Sequence, residues 1–146
     1  MATRILVVCV GNICRSPMGE YLLKKLVKQS NTDVIVASAG LGALVGHGPD
    51  ELAREVMAEH GIDMSPHRAR QLDGKMVREN DLILVMESWH QKEIENHFPF
   101  STGRVHLIGK WSDCEVNDPY KKSKEHFIEA FEKINQSCKE WCKKLC

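Results

Sequence analysis

From Arg4 to Val10 the chain runs almost without interruption through apolar, β-branched residues, the pattern of a strand buried on both faces of a parallel sheet. Comparable runs recur at Val34-Ile35-Val36-Ala37, Leu82-Ile83-Leu84-Val85-Met86 and Val105-His106-Leu107-Ile108, with helical stretches between them. Strands alternating with helices predict an α/β layered fold. One hydrophobic core covers most of a chain of 146 residues, and no repeat, low-complexity tract or linker divides it, so 1–146 reads as a single domain.

Pro17 suits the first turn of a helix, which Met18, Tyr21, Leu22 and Leu26 continue at helical spacing to about Ser30. Further helices are expected from near Pro49 to His60, with Leu52, Val56 and Met57 inward and Gly61 as the stop, and from Trp89 to His97. At the C-terminal end Phe127, Phe131, Ile134, Cys138, Trp141 and Leu145 follow spacings of four and three, one apolar stripe on a long helix that should pack on the sheet. The loop Gly40 to Gly48 is expected to be flexible.

Twenty basic residues balance 20 acidic ones, which implies neither a nucleic-acid partner nor an anionic membrane. The N-terminal apolar run is too short for a secretion signal or a membrane span, so a cytoplasmic location is expected, and with it six reduced cysteines. Cys138, Cys142 and Cys146 lie four apart, but helical spacing puts the first two on or beside the core stripe, and the paired short spacings of a zinc site are missing. No metal or cofactor is expected.

Between the first strand and the first helix lies Cys9-Val10-Gly11-Asn12-Ile13-Cys14-Arg15-Ser16-Pro17. In α/β folds ligands bind at the carboxyl ends of parallel strands, and successive loop amides backed by a helix N-terminus suit a phosphate dianion. Gly11 is read as the residue that permits the tight turn. A nucleotide-binding loop would need a second glycine and a lysine that are not here. Instead a cysteine at one end and an arginine six residues later supply what covalent catalysis at phosphorus requires. A free thiol titrates near about 8.5, and loop amides, a helix N-terminus and a guanidinium all favour the thiolate of Cys9. Arg15 offers a planar fork for two phosphate oxygens. Ser16 is placed to donate to Cys9, and the Asn12 side chain to bond the loop backbone. The cradle as a whole is Val10, Gly11, Asn12, Ile13, Cys14 and Ser16 around Cys9 and Arg15.

Expelling a tyrosine oxygen calls for a proton donor, and Asp118 is the candidate: Pro119 holds it extended, and it follows the fourth strand in a turn-rich stretch. Asp113 is the alternative. Tyr120 could form an aromatic wall.

Taken together, the opening Ile5-Leu6-Val7-Val8-Cys9-Val10-Gly11-Asn12-Ile13-Cys14-Arg15-Ser16-Pro17 and the late Asp118-Pro119-Tyr120 closely resemble the low-molecular-weight protein-tyrosine phosphatases, with Ser38-Ala39-Gly40, Ala69-Arg70-Gln71 and Asp81 to Met86 as further landmarks in order. The resemblance implies a four-stranded parallel sheet flanked by helices on both faces, a cysteinyl-phosphate intermediate and no metal. It implies Cys9 as nucleophile, Arg15 as phosphate ligand and Asp118 as acid then base, with Asn12, Ser16 and His67 supporting the loop. Cys14 matches the family's second loop cysteine, which implies a reversible Cys9 to Cys14 disulfide under oxidation.

Gly40-Leu41-Gly42-Ala43-Leu44-Val45-Gly46 makes the chain most similar to the bacterial branch associated with capsule and exopolysaccharide export. That branch implies a tyrosine autokinase as the phosphotyrosine protein acted on, by a monomer. Leu41 and Leu44 are expected at the pocket mouth, against a phosphotyrosine ring. The lysines at 121, 122 and 124 could meet acidic sequence around it. Two rivals stand beside this reading. An arsenate reductase would carry further cysteines after the third strand, where the chain reads Met86-Glu87-Ser88-Trp89-His90. A binding module without turnover would not need Cys9 and Asp118 together.

Overall fold

The computed structural model describes residues 2–145, so Cys146 lies outside the described residues. β1 (Thr3–Cys9) sits inside the sheet between β2 (Val34–Gly40) and β3 (Leu82–Val85), with β4 (Val105–Leu107) beyond β3. All pairings are parallel; Cys9 stands opposite Gly40, and Val8 opposite both Ala39 and Val85. The chain leaves β1 through α1 (Arg15–Gln29) towards β2, while β3 takes the other flank. The carboxyl end of β1 therefore opens at the point where the strand order reverses, the usual ligand crevice of such sheets.

Period-two alternation divides β1 between two cores. Ile5, Val7 and Cys9 face α1, α2 (Glu51–Glu59) and α5 (Lys124–Leu145), whereas Leu6 and Val8 face α3 (Gly74–Glu79) and α4 (Ser88–His97). Ile5 to Val8 are wholly buried, each contributing about 1.5–3 kcal/mol by removal from water. The layered order expected from the sequence is observed: sheet in the middle, helices on both faces.

The α5 stripe is also as expected, with Phe127, Phe131, Ile134, Cys138 and Trp141 buried and Leu145 packed at its edge. The Trp141 indole N–H donates to Ile108 O at 2.8 Å, so its burial leaves no orphan donor. In α1 the buried line differs from the expected one. Met18, Leu22, Leu23 and Val27 are buried, while Tyr21 and Leu26 only border the core, because α1 packs against both the sheet and α5. Pro17 occupies the third helical position. Leu52 in α2 is likewise half-buried, with Ala53, Val56 and Met57 carrying the contact.

α3 was not expected. It has six residues and one buried side chain, Val77, and is started by the Asp73 carboxylate accepting from Met76 N at 2.9 Å. The loop after β2, expected to be flexible, is instead tied to the β1–α1 loop. Leu41 N donates to Cys9 O, Gly42 N to Val10 O and Leu44 N to Gly11 O, at 2.9–3.1 Å. A Cβ on Gly40 would lie 2.5 Å from Val10 O, so only glycine allows this approach.

Candidate active site

The β1–α1 loop turns through Asn12, whose φ of 59° is left-handed; Gly11 is not in that region, and a Cβ there would meet Ile13 at an ordinary 3.6 Å. The turn attributed to Gly11 is thus made by asparagine, one of the few L-residues that tolerate it. The strain is held by bonds on every polar atom of its amide. Asn12 Nδ2 donates to Ser16 Oγ (2.7 Å) and Ser38 Oγ (3.0 Å), and Oδ1 accepts from Arg70 N (2.8 Å). His67 closes the turn from outside, its Nε2 donating to Asn12 O at 2.7 Å.

These bonds run in one direction. Ser38 Oγ donates to Glu20 Oε1 at 2.5 Å and receives Asn12; Ser16 Oγ receives Asn12 and lies 2.9 Å from Cys9 Sγ, to which it donates once the sulfur is a thiolate, with Ala39 O a longer acceptor at 3.5 Å. Ser16 N adds a longer contact to the same sulfur at 3.4 Å. Cys9 is 2% exposed, with its sulfur turned to this donor pair.

Above the sulfur is a cavity of about 170 Å³ lined by Cys9, Val10, Gly11, Ile13, Cys14, Arg15, Gly42, Leu44, Asp118 and Tyr120. Three sequence-expected residues are not in its wall. Asn12 and Ser16 lie beneath it as supports. Leu41 packs on the other face of the sheet with the Leu72 and Ile94 cluster, because the chain turns at Leu41–Gly42 directly after β2 and brings Gly42 and Leu44 to the mouth instead. Burial first, then the nearby Asp50, push the Cys14 thiol well above its ordinary range.

Arg15 is 1% exposed, the first residue of α1. Its Nη1 donates to Glu87 Oε2 at 2.6 Å and to Val116 O at 2.8 Å, and Nη2 lies 3.7 Å from Asp118 Oδ2. Asp118 is half-exposed, its Oδ1 accepting from Tyr120 N at 3.0 Å in the turn that Pro119 sets. The loop is anchored to the sheet by Val116 N donating to Met86 O. Asp113 ends a short 3₁₀ turn and does not line the cavity. Among the described residues no three His, Cys, Asp or Glu side chains gather as a metal site, and no helix is long and apolar enough to cross a membrane.

Glu87, Glu20 and Ser38 escaped the sequence reading as functional residues. Ser38 carried a signal, since it stands in a landmark triplet at the end of a strand. Glu87 carried none locally, because its partner is 72 residues away.

Residues 4–146 match the family described as low molecular weight phosphotyrosine protein phosphatase. The chain belongs to this family. Among its phosphatase relatives, the probable low molecular weight protein-tyrosine-phosphatase EpsP of Ralstonia nicotianae is 47% identical over 145 residues, covering 99% of this chain and 97% of the relative. The low molecular weight protein-tyrosine-phosphatase Wzb of Escherichia coli is 44% identical over 146 residues, with 99% and 97% covered. The solved structure of Wzb of Vibrio vulnificus, in complex with benzylphosphonate, superposes with a TM-score of 0.93 at 40% identity, over 99% of this chain and 100% of that one. The four-stranded parallel α/β architecture expected from the resemblance is thus the fold of this phosphatase family.

Proposed function

We propose that this phosphatase hydrolyses phosphotyrosine through a phosphocysteine, with Cys9 as nucleophile, Arg15 as clamp and Asp118 as acid then base. The observation that carries the reading is the convergence of the three on one cavity: Sγ on the floor, the guanidinium in the wall and Asp118 Oδ2 3.7 Å from that guanidinium. Cys9 Sγ attacks phosphorus as the bond to the tyrosine oxygen breaks, and the Asp118 carboxyl proton goes to that oxygen. Asp118, now a carboxylate, takes a proton from water. The water oxygen attacks phosphorus, the P–S bond breaks, and Cys9 leaves as the thiolate held by Ser16. Arg15 and the loop amides of Val10, Gly11, Ile13 and Cys14 meet the charge on the equatorial oxygens.

Leu44 and Tyr120 form an apolar slot above the cradle for a phenyl ring. A relative in complex with benzylphosphonate, a phenyl ring one methylene from phosphorus, supports an aryl phosphate as the kind of ligand such a slot takes. In this reading the partner is a bacterial tyrosine autokinase of polysaccharide export, acted on by a cytoplasmic, single-domain monomer; the similarity to the protein-tyrosine phosphatases named EpsP and Wzb supports the phosphotyrosine part of it.

Hydrolysis of an aryl phosphate in excess chelator, beside Cys9→Ser and a parallel arsenate-reduction assay, tests this. Turnover by the native chain, lost in Cys9→Ser and without arsenate reduction, is expected. Arsenate reduction would favour the reductase, and binding of phosphate with no turnover a binding module.

A further inference from the structure

α4 begins directly behind the phosphate clamp. His90, its third residue, is wholly buried beside the loop that supplies Glu87. Its Nδ1 lies 3.3 Å from both Met86 N and Glu87 N. Both are donors, so Nδ1 presents its lone pair and the proton of the neutral ring sits on Nε2. Nε2 has no hydrogen-bond partner within ordinary reach; it faces Glu87 Oε2 at 3.5 Å. That same oxygen takes the 2.6 Å bond from Arg15 Nη1.

We infer that His90 is a positioning residue for the phosphate clamp, its Nε2–H holding the Glu87 carboxylate that in turn aims Arg15 into the cavity. The inference rests on the phosphatase reading and concerns the same site. The argument is one of donors and acceptors. Arg15 Nη1 is held by Glu87 Oε2 and Val116 O, so the direction of the guanidinium depends on where that carboxylate stands. The carboxylate, only a quarter exposed, also meets the His90 backbone N–H in the capping box of α4, whereas the buried Nε2–H has no partner, which is itself costly. A short movement of Nε2–H onto Oε2 gives that donor its partner and fixes the carboxylate from a second side.

Histidine suits this place because it donates without adding a second cation beside Arg15. Burial first and Arg15 second press its pKa down to about 4, against the pull of Glu87, Asp118 and Glu115. A lysine there would repel the clamp.

Two roles of the ring are separable by substitution. Asparagine offers an acceptor near the Nδ1 position and nothing at Nε2; glutamine reaches the Nε2 position with an amide donor. The experiment is calorimetric titration of each variant with inorganic phosphate, read beside kcat and KM for an aryl phosphate and the thermal midpoint. His90→Asn should weaken phosphate binding about 5- to 10-fold, less than the loss of a direct hydrogen bond to a charged group because it acts through Glu87, while His90→Gln stays within about twofold of native. In a Glu87→Gln background His90→Asn should add nothing, since it acts through that carboxylate. Native-like phosphate binding by His90→Asn would overturn the inference. So would an equal loss in the Glu87→Gln background, or losses in both His90 variants that simply track the thermal midpoint.

Should His90→Asn fail to fold, ¹⁵N-histidine NMR of the native protein decides. The Nε2–H tautomer, with signals that shift on adding phosphate, is expected; an Nδ1–H tautomer or unmoved signals would overturn the inference. Binding of phosphate is read without turnover, so a native chain that binds phosphate but hydrolyses nothing would sink the phosphatase reading while leaving this test intact.

Discussion

Ser16 Oγ stands 2.9 Å from Cys9 Sγ and is itself held by the Asn12 amide at 2.7 Å, which fixes the hydroxyl as a donor to the sulfur whenever the sulfur is a thiolate. The sulfur is attacking group in one step and leaving group in the next, and a donor at this distance lowers the energy of its anionic form in both. Ser16→Ala is therefore expected to lower kcat about 10- to 100-fold, the range of one hydrogen bond to a charged group, with little change in KM. Steady-state kinetics on an aryl phosphate check it, an unchanged kcat contradicting the role.

Asp118 lines the cavity and Asp113 does not. Removing the acid should matter most where the leaving group is least able to depart unaided. Asp118→Ala is expected to cost about 10²- to 10⁴-fold in kcat on phenyl phosphate and much less on a nitrophenyl ester, while Asp113→Ala leaves both unchanged. A leaving-group series measures the slope.

Asn12 pays for its left-handed φ with the bonds its amide makes. Both Asn12→Gly and Asn12→Ala lose those bonds, but only alanine keeps the strain, so the glycine variant should be the more stable by about 1–2 kcal/mol. Urea midpoints of the two variants give the difference directly. A glycine variant no more stable than the alanine one would place the strain elsewhere.

His90 gives the fold an acid-labile point. Its folded pKa lies near 4, below the ordinary 6.5, so the unfolded chain takes up the proton first as pH falls. The contribution of the neutral ring is full above about pH 6.5 and is lost progressively towards pH 4. There the dependence reaches at most about one proton, 1.4 kcal/mol per pH unit. The urea midpoint of His90→Asn should fall less steeply than that of the native protein across this window, which a pH series of unfolding curves reads.

What the sequence made legible follows from how local each signal is. The β1 run, the Cys9 to Pro17 loop and the α5 stripe each declare themselves within one segment, and each is found in the fold. Glu87 and His90 do not, since within their own segment they read only as the start of a helix, and their meaning comes from Arg15 on a different strand connection. Leu41 packs away from the mouth because the chain turns at Leu41–Gly42, and composition cannot show which way a turn directs its first side chain. The turn was assigned to Gly11 on residue type, whereas the network of Ser16, Ser38 and Arg70 around the next residue selects Asn12.

The central claim is that phosphorus passes through Cys9. Mixing the protein with an aryl phosphate, quenching with acid within milliseconds and mapping the phosphate by mass spectrometry tests it most directly. A phosphoryl group on Cys9, formed at least as fast as turnover, accumulating further in Asp118→Ala and absent in Cys9→Ser, is the predicted result. Release of phosphate with no adduct on Cys9, or turnover persisting in Cys9→Ser, would contradict it.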